Sequence, residues 1–125
     1  RSELWTAVAE VARQRGQALI VENDRLFGDN EAEVMRAALK HALPTQAEGT
    51  DFLKAGAVIS FTFSLRELHR RGAAFIDKIL RGAKPADLPI EQPTQFELGI
   101  NLKAAKALGI TVPQSLLLRA DEVIQ

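Results

Sequence analysis

Apolar residues recur along the chain at two different spacings, and the alternation between them sets the expected fold. Leu4, Trp5, Val8, Val11 and Ala12 lie at helical spacing and form one stripe. Ser2 is placed to cap that helix, and Gly16 lies where a left-handed stop belongs. Ala18-Leu19-Ile20-Val21 is an unbroken apolar run, the pattern of a parallel strand buried on both faces. The polar stretch Glu22-Asn23-Asp24-Arg25 then turns the chain. A second helix is predicted from Asn30, with Glu33 in capping-box register and Val34, Met35, Ala38, Leu39 and Ala42 facing the core. Lys40 and His41 suit its last turn, where the helix dipole favours cations.

Pro44 to Ala47 reads as a short strand, and a helix of one to two turns runs from near Asp51 to Gly56. Ala57 to Phe63 is a stronger strand. Ser64 with Glu67 forms another capping box and opens the longest helix, whose stripe is Leu65, Leu68, Gly72, Phe75, Ile76, Ile79 and Leu80, ending at Gly82. Pro85, Pro89 and Pro93 exclude regular structure from Lys84 to Thr94, so an extended crossing segment is expected there. Phe96, Leu98 and Ile100 alternate with polar or small residues, the period-two pattern of a half-exposed strand. Asn101 caps a short helix through Leu108, stopped by Gly109, and Pro113 to Gln125 is a tail with a helical turn near Leu116 to Leu118. Strands alternating with helices in this way predict an α/β fold, three-layered, around a mostly parallel sheet.

Composition narrows the chemistry. The chain has 125 residues, 46% of them hydrophobic and 26% charged, which suits a folded domain and argues against disorder. No apolar run is long enough to span a bilayer. Sixteen basic residues balance sixteen acidic ones, so no global field attracts nucleic acid or anionic membrane, and no nucleic-acid partner is expected. With no cysteine, disulfides, thiolate metal sites and cysteine nucleophiles are excluded. Phosphate-binding glycine loops, GxSxG elbows and His-Glu-x-x-His are all absent, so no catalytic residue, metal site or cofactor is expected, and the chain does not read as an enzyme. His41 and His69 read as solvated, as does the run Arg66-Glu67-Leu68-His69-Arg70-Arg71, whose alternative is a docking patch for an acidic partner.

Ligands of open α/β sheets sit beyond the carboxyl ends of the parallel strands. Those ends carry Glu22, Asn23 and Asp24, then Glu48, then Phe61 to Ser64: polar groups beside an aromatic ring, suited to a small solute. The acidic loop Glu22 to Asp24 also opens an alternative, a standalone flavodoxin- or receiver-like signalling or enzymatic domain. A receiver would need a phosphorylatable Asp and a Lys at later strand ends, and this chain supplies neither. No strand precedes the first helix and no Met precedes Arg1, so an upstream part is expected.

Phe75 to Pro89, from Phe75-Ile76-Asp77-Lys78-Ile79-Leu80 through Gly82-Ala83-Lys84-Pro85-Ala86-Asp87-Leu88-Pro89, leads into Glu91-Gln92-Pro93-Thr94-Gln95-Phe96-Glu97-Leu98. Ile100-Asn101-Leu102-Lys103-Ala104-Ala105-Lys106-Ala107-Leu108-Gly109 follows, and the chain closes on Arg119-Ala120-Asp121-Glu122-Val123-Ile124. This sequence resembles the C-terminal signature of ABC-transporter substrate-binding proteins of the tryptophan- and tyrosine-binding type. Asp77, Pro85, Asp87 and Asn101 belong to that signature. The resemblance implies half of a type I periplasmic-binding-protein fold, in which two lobes close over a small solute and deliver it to an ABC permease. It implies that residues 1–63 and 96–125 form the C-terminal lobe, that the helix over 64–81 packs on a missing N-terminal lobe, and that 82–95 is the crossing segment. The full-length protein would be periplasmic or lipid-anchored outside the cytoplasmic membrane. Among ligand-binding candidates, Asp24 best matches the polar position after the strand, followed by Asn23, Phe61 and Thr62. Family members commonly carry Ser-Tyr-Gly where this chain has Ser60-Phe61-Thr62. Without the other lobe the stripe Leu68, Phe75, Ile76, Ile79 and Leu80 would be wet, so the fragment is expected to pair with a second copy.

Overall fold

The computed structural model describes residues 2–125, and of Ser2 only the backbone, so the cap expected from its side chain lies outside the described residues. Five strands, β1 (Leu19–Val21), β2 (Thr45–Ala47), β3 (Ile59–Phe63), β4 (Phe96–Asn101) and β5 (Glu122–Ile124), form one sheet in the order β1-β2-β3-β4-β5. They are flanked by α1 (Ser2–Arg13), α2 (Arg25–Gly28), α3 (Glu31–Lys40), α4 (Thr50–Ala55), α5 (Leu65–Leu80), α6 (Leu102–Ala107) and α7 (Gln114–Leu117), giving the mostly parallel α/β architecture expected. β1 pairs parallel with β2 in the register Ile20 to Gln46, β2 with β3 through Ala47 to Ser60, and β4 with β5 through Ile100 to Val123. The β3–β4 pair runs the other way: Asn101 N–H donates to Val58 O, and Ser64 N–H to Gln95 O.

The chain divides into two compact units, Arg1–Thr62 with Glu97–Gln125, and Phe63–Phe96. In the first, Leu4 and Val8 of α1, Val34, Met35, Ala37 and Ala38 of α3, Val21, Ala47 and Phe52 make one buried cluster. A second cluster joins Val58 to Ala104 and Ala105 of α6. Asn101 is the buried polar centre of this unit, 5% exposed. Its Oδ1 accepts from Ala104 N–H at 2.8 Å, capping α6 as predicted, and its Nδ2 donates to Leu53 O at 2.8 Å.

Several local expectations are corrected. Ile20 is 67% exposed: the core cluster takes Leu19 and Val21 on one face of β1, and the alternation leaves Ile20 on the other, so the apolar run 18–21 is not buried on both faces. The left-handed residue after α1 is Arg15 (φ 62°), not Gly16. Gly16 is needed for space instead: a Cβ there would lie 2.5 Å from Val11 Cγ1 and 2.9 Å from Val11 O. The stretch expected only to turn the chain holds α2, capped by Asp24. Neither capping box forms: Asn30 sends its Nδ2 back to Leu26 O, and Ser64 makes no side-chain cap bond. α3 ends at Lys40, so Ala42 lies beyond it; Leu39 and Ala42 are exposed, while Ala37 on the helix and Leu43 after it are buried. The crossing segment contains a single 3-10 turn, Pro85–Asp87, and the tail contains β5 beyond its helical turn.

The second unit is built on α5, which buries none of its residues. Glu67 pairs with Arg70 at 2.6 Å and with Arg71 at 3.2 Å. Arg71 also reaches Glu91 at 3.5 Å, Gln92 O at 3.3 Å and Thr94 Oγ1 at 2.9 Å, tying the extended segment to the helix. The basic run is therefore not simply a wet face: Arg71 is half-buried and structural. Hydrogen bonding from Arg70 holds the Glu67 carboxyl well below its ordinary 4.5, at about 2, with partial burial opposing and Arg71 assisting.

Two outcomes follow. Asn101→Ala should lower unfolding free energy by about 2–4 kcal/mol, losing the cap and leaving Leu53 O and Ala104 N–H without their buried partner; urea denaturation reads this as a lower midpoint. For Glu67 the folded-state pKa is depressed, so its contribution is full above 4.5 and is lost as pH falls toward about 2. Melting curves over that range should show the protein losing more stability than Glu67→Gln, whose curve lacks this component.

Candidate functional site

At the carboxyl end of β2 the chain passes Glu48 and Gly49 into α4. Gly49 has φ 104° and ψ 151°, a conformation that residues with a Cβ rarely adopt. Its N–H donates to Ser60 Oγ at 3.2 Å. Strand pleating sends Ser60 and Thr62 of β3 to one face and leaves Phe61, 48% exposed, on the other. Gly99 of β4 lies against this group: a Cβ there would fall 2.6 Å from Leu53 Cδ2 and 3.5 Å from Ser60 Cβ. Asp121, just before β5, is clamped to β4 twice, its carboxylate accepting from Leu98 N–H at 2.8 Å and its own N–H donating to Leu98 O at 2.8 Å.

These pieces enclose a polar cavity of about 360 Å³ lined by Thr50, Leu53, Ser60, Thr62, Glu97, Leu98, Gly99, Asp121 and Glu122. It sits where β2 and β3 end, the location expected for a ligand on a parallel sheet. Its lining includes three hydroxyl residues and three carboxylate residues and, among the described residues, no basic one. A larger groove, about 490 Å³, lies in the second unit between α5 and residues 91–95. Its surface is mainly apolar helix side, with Ser64 just after β3 and Gln95 just before β4 at its end; the smaller cavity, richer in hydroxyl and carboxylate residues, is the candidate site.

Of the four residues singled out from sequence, only Thr62 lines this cavity. Asn23 and Asp24 are exposed after β1, and the Asp24 carboxylate accepts from Leu26 N–H at 2.7 Å. Phe61 points away from Ser60 and Thr62 by the strand alternation. Sequence reasoning missed Thr50, Glu97, Asp121 and Glu122 as cavity residues and treated Ser60 only as a motif position. The pair Val123-Ile124 was the available signal for β5, and with it for Asp121 and Glu122 beside the site.

Among the described residues no three His, Asp or Glu side chains gather as a metal site. No helix among them is long and apolar enough to cross a membrane.

The chain belongs to the ABC transporter substrate-binding protein family, whose profile matches residues 2–124. No curated protein matches it. Among solved structures it is similar to an ABC domain in complex with L-Trp from Streptococcus pneumoniae, at 28% identity and TM-score 0.89, covering 98% of this chain and 41% of that one. It also shares its fold with a conserved domain protein from Vibrio cholerae, at 24% identity and TM-score 0.88 over 98% of this chain and 41% of that one. A ligand-free, open substrate-binding protein with adhesive properties from Clostridium difficile matches at 20% identity and TM-score 0.70, over 99% of this chain and 41% of that one. The chain thus spans about two fifths of the length of these proteins.

Proposed function

We propose that this chain is the C-terminal portion of the solute-binding component of an ABC importer, and that the full-length protein closes two lobes over an amino acid and delivers it to the permease. In this reading residues 1–63 and 96–125 belong to one lobe, the helix over 64–81 packs on the other, and 82–95 crosses between them. The protein works outside the cytoplasmic membrane, in the periplasm or on a lipid anchor.

The observation that carries the reading is the polar cavity at the ends of β2 and β3. The hydroxyls of Thr50, Ser60 and Thr62 can meet a carboxylate, and Glu97, Asp121 and Glu122 an ammonium group. The L-Trp held by the Streptococcus pneumoniae relative is a zwitterion of this kind. Surfaces left open support the two-lobe reading. β1 has an unpaired edge with Ile20 exposed, and α5 exposes Leu65, Leu68, Ile76, Ile79 and Leu80. Such apolar area is normally covered in a finished fold. The alternative signalling reading rested on the acidic loop Glu22 to Asp24, and Asp24 there caps α2.

Calorimetry on the full-length protein against the natural amino acids should find a low-micromolar ligand. The 125-residue chain alone should bind none more tightly than about 100 µM, equivalent to about 5.5 kcal/mol, because half a cleft cannot bury the solute. Tight binding by the short chain, or none by the full-length protein, would overturn the proposal. In light scattering the short chain should give about twice its 13.7 kDa, since α5 must cover its apolar face with a second copy. A monodisperse monomer would contradict that pairing.

A further inference from the structure

Ser60 stands out among the cavity residues because it is buried, 4% exposed, in the middle of a strand, where a hydroxyl contributes little to apolar packing. Its Oγ accepts from Gly49 N–H, eleven residues away and on the loop that follows the neighbouring strand. That loop has few other restraints. Gly49 occupies a glycine-only backbone region, and α4 has no side-chain cap. The first helical bond onto Gly49, from Leu53 N–H, is long at 3.4 Å. Thr50, which lines the cavity, comes next in the chain. Ser60 itself is held in place: Leu53 is fully buried beside Gly99, and the space a Gly99 side chain would take abuts the Ser60 Cβ.

We infer that Ser60 is a positioning residue of the solute site: its hydroxyl holds Gly49 N–H and so fixes the Glu48–Gly49 peptide, from which the chain passes directly to Thr50 in the cavity wall. The inference rests on the solute-binding reading above and adds a specific residue to it. Ser60 acts through the loop, so its loss should change the shape of the cavity more than the stability of the fold.

The test uses the full-length protein with Ser60→Ala, Ser60→Thr and, as control, Thr45→Val. Thr45 is also a buried strand hydroxyl, 2% exposed, but its Oγ1 donates to Leu43 O and it does not line the cavity. In Ser60→Ala the Gly49 amide should exchange with deuterium about tenfold faster, and affinity for L-tryptophan, the probe, should fall about five- to tenfold, the size of one neutral hydrogen bond. Ser60→Thr should restore both. Thr45→Val should lower the melting temperature and leave affinity unchanged. An unchanged Gly49 exchange rate in Ser60→Ala overturns the inference, as does an equal loss of affinity in Thr45→Val. If the unsubstituted protein binds none of the amino acids, the functional reading fails, and the exchange comparison still decides whether Ser60 holds the loop.

Discussion

One buried carboxamide organises the unit that carries the site. Asn101 donates its backbone N–H to Val58 O just before β3, gives its side-chain N–H to Leu53 on α4, and accepts from Ala104 at the start of α6. A buried amide is costly unless its atoms are paired, and here both ends of the side chain are. The consequence is geometric. α4, β3, β4 and α6 are referred to a single point, and Leu53, whose carbonyl is one of the partners, packs its side chain into the notch left by Gly99. Gly99 in turn borders Ser60, and Leu98 holds Asp121. The cavity walls are therefore extensions of the core and not a separate loop assembly.

Legibility in the sequence followed how local each interaction is. The stripes of α1, α3 and α5 and the cap at Asn101 depend on residues a few positions apart and were visible as patterns; β4 was found as a strand, but its burial rises from Phe96 to Asn101 instead of alternating. β5 was not, because three residues with two apolar side chains are a strand only through their pairing with Gly99 to Asn101. α2 was missed for a related reason: four residues carry no periodicity, and the helix exists through the Asp24 cap. The failed capping boxes show the competition that a motif omits. Glu67 is drawn to Arg70 and Arg71, charged partners stronger than a backbone N–H, and Asn30 reaches back to α2. Strand-end logic picked out Thr62, which lines the cavity. It could not find Thr50, Glu97, Asp121 and Glu122, because they come from three separate elements or their flanks and meet only through the sheet.

The same sheet explains why the open surfaces matter to the functional reading. β2 and β3 are flanked on both sides, and the polar cavity lies at their ends. β1 and α5 instead present apolar groups to solvent. The chain belongs to a substrate-binding family and spans about two fifths of its solved relatives, and the two-lobe reading proposed above takes in both features.

The central claim is that the solute lies at the carboxyl ends of β2 and β3. A crystal structure of the full-length protein with its solute bound tests it most directly. The account predicts solute atoms within hydrogen-bond reach of Thr62 and of Thr50, with a cationic group facing Asp121 or Glu97. A solute seated instead against the α5 groove, or at Asn23 and Asp24 with the cavity empty, would contradict it.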